Sequence, residues 1–183
     1  SAWDSIWTEH SSKIVVSEHA FVTHDGTGDG EGSAQPTHLC LSDSIEAMPK
    51  SITFPSIRTG SQAGVLKSVD VVPCDTKPCT LYKKENAQII ITFSAKRRID
   101  HGKVVVHGVI EGVPIPFPLD HTDMCEFTQP TCPLEPSGQV YTYSYSLPVK
   151  STYPSIRLDV KWQLQDNNED IICALIPVQI SSR

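Results

Sequence analysis

The sequence predicts an all-β protein built as two sheets face to face, and three observations predict it. Between Ile156 and Gln165, apolar Ile156, Leu158, Val160, Trp162 and Leu164 alternate without a break with Arg157, Asp159, Lys161, Gln163 and Gln165. Side chains on a strand point to opposite faces in turn, so this stretch is a strand with one dry face and one wet face. Fourteen prolines and ten glycines cut the 183-residue chain into short segments, which suits strands and turns and leaves little room for helix. Six or seven strand-like segments then follow one another within about 120 residues, the rhythm of an immunoglobulin-like sandwich.

Taken in order, residues 1–59 read as an irregular N-terminal extension. They carry eight acids against three bases and show no sustained periodicity. Asp25, Thr27, Asp29 and Gly30 match the first positions of a calcium loop. The twelfth position, which needs a bidentate Glu, is Pro36, so a flexible acidic linker is the better reading. His10, His19, His24 and His38 lack ligand spacing, and Trp3, Trp7, Phe21 and Phe54 follow no pattern that says what they pack on. The first residues do not form a signal peptide.

From Gly60 the pattern changes, and residues 60–183 read as one domain. Leu66 to Val72 is a strand, and Gln88 to Phe93 is a β-branched run suited to an inner strand. The basic turn Lys96-Arg97-Arg98 leads to a further strand, Lys103 to Ile110. Val113 to Pro118 carries three prolines that lack the N–H donor, so it belongs at a sheet edge or in a stiff extended segment. Tyr141 to Tyr145 alternates cleanly, the Ile156 ladder follows, and Ile171 to Ile180 closes the domain. Cys74 and Cys79 bracket one short proline-bearing loop, and Cys125 and Cys132 bracket another. Both suit small disulfide rings better than zinc knuckles, and imply an oxidising compartment.

The same residues exclude several functions. Residues 60–183 hold thirteen acids and twelve bases, with no sustained basic face for nucleic acid. No nucleophile elbow, zinc-binding helix motif or phosphate loop occurs, so neither an enzyme, a cofactor nor a metal is expected. His121 and Asp123 lack a third ligand, and His107, in mid-strand, fits either a core or a titrating role.

Val72-Pro73-Cys74 with Lys77-Pro78-Cys79, Val105 to Gly108, Gly112 to Pro118, Leu147 to Ser151, Tyr153 to Ile156, Trp162 to Asp166 and Ile176 to Ile180 closely resemble the sterol carriers of the ML (lipid-recognition) domain family. The motifs occur in the family's order and spacing from Gly60 to the C-terminus. The resemblance implies a β-sandwich whose sheets part to admit one cholesterol-like sterol. It also implies a monomer of the lysosome lumen and secretions that works at anionic lysosomal membranes and hands sterol to the Niemann-Pick type C1 membrane protein. Carried over by motif, Phe117, Val149 and Tyr153 line or gate the mouth, with Pro148 beside them, Trp162 in the wall, and Val71 and Phe93 deeper. His107, Val109, Ile110, Val113 and Ile115 form or border an apolar knob for membranes or the transporter, with Glu111 an odd charge within it.

The chain departs from the family at Thr59, where the first cysteine falls, which leaves Cys40 as the candidate partner of Cys173. Ala174 stands where a large aromatic is usual, and no Asn-x-Ser/Thr sequon occurs. Protonated His101, His107 and His121, with Lys96, Arg97, Arg98, Lys103 and Lys150, are expected to draw the domain toward anionic lipid in acid. Two other readings compete with sterol carriage: an ML accessory protein that recognises glycolipid or bacterial lipid, and an adhesion module with a filled core.

Overall fold

A computed structural model describes residues 58–59 and 61–183 together with Cys40. The acidic Gly-rich loop, the four upstream histidines, and Trp3, Trp7, Phe21 and Phe54 lie outside the described residues.

Ten strands and one 3-10 turn, Cys125–Phe127, make up the described chain. The larger sheet runs β1 (Arg58–Thr59), β10 (Glu169–Ser181), β9 (Arg157–Asp166), β5 (Lys103–Ile110) and β6 (Val113–Phe117), with β3 (Cys79–Tyr82) parallel to the end of β10. The smaller sheet runs β2 (Gly64–Val72), β4 (Asn86–Ala95), β8 (Tyr141–Pro148) and β7 (Thr128–Gln129). The larger sheet begins at Arg58, which pairs with Leu175, two residues ahead of the expected boundary.

Alternation sets the core. Phe93, Ile91 and Ile89 on β4 and Tyr141, Tyr143 and Tyr145 on β8 face Trp162 and Leu164 on β9 across the sandwich, all essentially inaccessible to solvent. The Val113–Phe117 segment lies at the edge opposite Val106 to Ile110. Pro114 and Pro116 lack the N–H to donate, so their ladder positions point away from β5. The free edge therefore offers no donor at either place, which discourages strand addition. The turn from β5 to β6 uses Glu111 and Gly112, both at positive φ, 49° and 81°. The turn from β9 to β10 uses Asn167 and Asn168 in the same region, where asparagine is among the tolerated residues.

One expectation is corrected here. The second face of the Ile156 ladder is not wet at its centre: Lys161 and Gln163 are only 4% and 6% exposed. Their face of β9 is also the face of Cys173 and Leu175, which pack with Val109 and with Cys40, itself bridged to Cys173. An alternating pattern reports two different faces, but it does not report whether something lies over the second.

The two ends of the sandwich differ. At one end the sheets are held close. A Cβ on Gly64 would stand 2.7 Å from the Ile171 carbonyl oxygen. Arg97, just after β4, reaches the other sheet's hairpin with bonds of 2.7 Å to Asp166 and 2.8 Å to Glu169. The other end carries the site.

Candidate functional site

At that other end an apolar cavity of about 30 Å³ lies between the sheets. Val106, Leu158 and Val160 of the larger sheet form one side, and Val178 and Ile180 of β10 with Leu81 of β3 continue it. Leu147 and Val149, at the end of β8, form the other, and Phe117 and Tyr153 close the rim. Those two rings meet edge to face with centroids 5.7 Å apart, an arrangement aromatic pairs favour. Burial, with the negative charge of Asp120 adding to it, pushes the Tyr153 phenol up to about 12. It therefore remains a neutral hydroxyl at any physiological pH.

Backbone bonds hold the rim, and the Glu85–Arg183 ion pair at 2.9 Å adds to them. Lys84 N donates to the Val149 carbonyl at 2.7 Å, Val149 N donates to Glu85 at 2.9 Å, and Lys83 N donates to Ser181 at 2.9 Å. The loop between β3 and β4 thus carries Lys83 and Lys84 to the mouth, next to Lys150. Of the cations that the sequence assigned to anionic lipid, Lys150 stands at the mouth, whereas Arg97, Arg98 and Lys103 do not. Arg97 is tied to Asp166 and Glu169, Arg98 is tied to Asp100 and Glu135, and Lys103 donates to Asn168. All three lie at the far end, roughly 23 Å from Leu158 at about 3.3 Å per residue of strand.

Of the residues assigned by resemblance, Phe117, Val149 and Tyr153 come together on the cavity. Pro148 is next to Val149 but exposed, because parity on β8 turns it away from Leu147. Trp162 is fully buried one inner-face position beyond Val160, so it is the floor beneath the cavity rather than its wall. Tyr145 packs against it with ring centroids 5.8 Å apart. Val71 is buried on β2. Phe93 pairs with Tyr141 at the far end of the sandwich, with centroids 6.0 Å apart, well removed from the mouth. The expected knob is broken up by the same parity rule. Ile115 is 2% exposed in the core, Val109 is 5% exposed on the opposite face beside Cys173, and Ile110 is half-buried. Val113 alone of the five is an exposed apolar side chain, at 43%.

His107 borders the cavity, but its register partner is Lys161, so its ring belongs to the outer face. Burial, and then the charge of Lys161, lower its pKa, and its Nδ1 is buried without a partner among the described residues. It resists protonation in acid, which corrects the expectation that it adds positive charge there. Lys161 is itself lowered by burial, with Asp170 opposing the shift. Asp170 accepts from Gln163 at 2.9 and 3.1 Å and from Gln165 at 2.8 Å.

Leu81, Leu158, Val178 and Ile180 are mouth residues that sequence reasoning did not single out. The signal for three of them existed, since they alternate within ladders already read as strands. Leu81 sits in a four-residue strand too short to show a period.

Three disulfides brace the domain: Cys74–Cys79, Cys125–Cys132 and Cys40–Cys173, the last spanning 133 residues. No free cysteine remains, and no group of three or more potential metal ligands occurs among the described residues.

Residues 58–180 match the model of the ML domain. The chain is 43% identical over 145 residues to the "NPC intracellular cholesterol transporter 2" of Sus scrofa, covering 79% of this chain and 95% of that one. It is 42% identical over 124 residues to the Mus musculus protein of the same name, covering 67% and 82%. Among solved structures it is similar to a Niemann-Pick type C2 protein from Japanese carpenter ant, with a TM-score of 0.61 and 23% identity, covering 67% of this chain and 96% of that one.

Proposed function

The chain belongs to the ML domain family, and from that premise we propose that it is a carrier that takes one sterol between its sheets at the Phe117–Tyr153 mouth. The observation that carries this reading is the placement of the cavity. It lies between the two sheets at the end of the sandwich away from Gly64 and Arg97, where an apolar gap remains and the ion pair present among the described residues, Glu85 with Arg183 at 2.9 Å, joins side chains that are 41% and 64% exposed.

At about 30 Å³ the cavity holds no more than a water-sized guest, whereas small-molecule pockets run to roughly 300–1,000 Å³. Binding therefore means parting the sheets at the mouth while the far end stays closed. A sterol burying roughly 500 Å² of apolar surface gains on the order of 12 kcal/mol at about 25 cal/mol per Å², before ordering and opening costs. That gain is what offsets the cost of opening. The sterol's single hydroxyl stays at the rim, where water and the neutral Tyr153 hydroxyl satisfy it.

The same geometry supports, as part of this reading, transfer to an anionic lysosomal membrane or to the Niemann-Pick type C1 protein. Lys83, Lys84 and Lys150 stand beside the mouth, so the end that opens is also the end attracted to negative surfaces. Contact there lets the guest leave without crossing water.

The test is titration of the full chain with a fluorescent sterol, together with mass spectrometry of lipid extracted from protein purified from its host. One saturable site per chain, competed by cholesterol, is expected. Absence of saturable binding, or extraction of multi-chain lipid alone, overturns the reading.

A further inference from the structure

The two edges of the mouth are built differently, and the difference says which of them moves. At one edge the chain crosses from the larger sheet to the smaller through Lys83, Lys84 and Glu85 alone, between the end of β3 and the start of β4. Glu85 N closes this turn on the Tyr82 carbonyl at 3.2 Å, and Lys84 takes the left-handed conformation, with φ 67°. The turn is bonded to both sheets. Lys83 N reaches Ser181 on β10, while Lys84 N and the Glu85 carbonyl hold Val149 at the end of β8.

Side chains fasten the same turn from outside. Arg183, two residues past the end of β10, donates to Glu85 at 2.9 Å and lays its guanidinium over the Tyr82 ring at 4.4 Å. The Tyr82 hydroxyl donates to Asp75 at 3.2 Å, inside the loop closed by Cys74–Cys79. Strands β3 and β10 and the disulfide loop are thus tied, through Arg183 and Tyr82, to Glu85, whose backbone in turn holds Val149.

The other edge is a loop. Residues 150–155 run from Val149 to Ile156, and both of those ends are held by backbone, the first by the turn and the second by Ile180 N at 2.8 Å. Between them Lys150, Ser151, Thr152 and Ser155 are exposed, Pro154 is half-buried, and Tyr153 alone is buried. The loop's own backbone bond among the described residues is Tyr153 N to the Lys150 carbonyl, at 3.2 Å. The Tyr153 ring, edge-on to Phe117 on the outermost strand, is what pins it to the larger sheet. An edge-to-face contact breaks at small cost. Widening the opposite edge instead breaks backbone bonds and stretches a three-residue crossing.

We infer that the mouth opens on a hinge: the turn of residues 83–85, clasped by Arg183, stays closed while the Tyr153 loop swings away from Phe117. Glu85 and Arg183 are positioning residues for sterol exchange, since neither lines the cavity. Lys83 and Lys84 then belong to the fixed edge, so the charges that meet a negative surface keep their place while the opposite edge moves. The inference rests on the carrier reading above and adds to it the route by which the guest passes.

The experiment follows backbone amide exchange of the full chain by nuclear magnetic resonance, with and without cholesterol, and times uptake and release of a fluorescent sterol by stopped flow. On binding, exchange at the amides of Lys83, Lys84 and Val149 should change by less than about twofold, and at Tyr153 by about tenfold or more. Equal change at Val149 and Tyr153 overturns the hinge. In Glu85→Gln and Arg183→Ala, which alter exposed side chains, the Lys84 and Val149 amides should exchange about threefold faster. The loosened edge gives the guest a second way through, so uptake and release should both quicken, by a similar factor of about threefold. Quicker release alone marks a weakened site and unchanged rates mark an idle clasp, and either result overturns the roles of Glu85 and Arg183. Failure of wild type to bind sterol at all refutes the carrier reading itself, which is a different failure from binding with both edges moving.

Discussion

Phe117→Ala is the perturbation that bears most directly on the mouth. Phe117 is half-buried, packs on the core from the edge strand, and meets Tyr153 edge to face at 5.7 Å. A fully buried Phe→Ala change costs about 3–5 kcal/mol. With half the ring in solvent and part of the aromatic pairing of about 0.5–1.5 kcal/mol lost, a loss of about 2 kcal/mol in unfolding free energy follows. Binding is affected by a separate route. If the bound sterol lies against one face of the ring, about 50 Å² of apolar contact disappears, worth about 1.3 kcal/mol, or close to tenfold in Kd. The assay pairs urea unfolding with fluorescent-sterol titration, using Val140→Ala as the control. Val140 is 50% exposed and touches neither the cavity nor its rim, so neither quantity should move in that variant. The combination that refutes the reasoning is a destabilised Phe117→Ala protein whose sterol affinity stays within twofold of wild type, for then the ring supports the fold but does not guard the site.

Three further outcomes are expected. His107 has a lowered pKa in the fold, so below the ordinary histidine value of about 6.5 the unfolded chain takes a proton that the folded chain refuses. Its contribution is intact above that pH and is lost as pH falls through the folded pKa. The urea midpoint should therefore drop more between pH 7.5 and 5.0 in wild type than in His107→Gln, and equal drops would rule this account out. Replacing both Cys40 and Cys173 by Ser opens a loop of 133 residues, for which the chain-entropy relation gives about 5 kcal/mol, against about 2 kcal/mol for the Cys74–Cys79 ring. Comparing unfolding free energies of the two double variants checks that order. Gly64→Ala places a Cβ 2.7 Å from the Ile171 carbonyl. It should force the closed end apart and cost about 1–3 kcal/mol in thermal or urea unfolding; a neutral substitution would mean that this end is not tightly held.

Much of the architecture was legible in the chain because strands announce themselves locally. A period of two over Arg157 to Gln165, a β-branched run over Gln88 to Phe93 and the donor-less edge at Val113 to Phe117 each follow from a few neighbouring residues. The three residues at the mouth, Phe117, Val149 and Tyr153, came from the family resemblance, and local rules add only that Phe117 lies in the proline-bearing segment that could not be a central strand.

What the sequence by itself determined was therefore which segments are strands, which side chains share a face, and which segment belongs at a sheet edge. Tertiary structure decided which faces are covered and how deep each residue lies. Lys161 and Gln163 are buried because Cys40 and Cys173 lie on their side of β9; Val109 and Ile115 fall on opposite faces of one hairpin; Phe93 ends far from the mouth; and Lys83 and Lys84, not Arg97 and Arg98, flank the opening. Facing, depth and proximity are set by contacts between residues distant in the chain. The meeting of Tyr143 with Trp162 is of the same kind, because no local pattern records which ring a buried tyrosine meets.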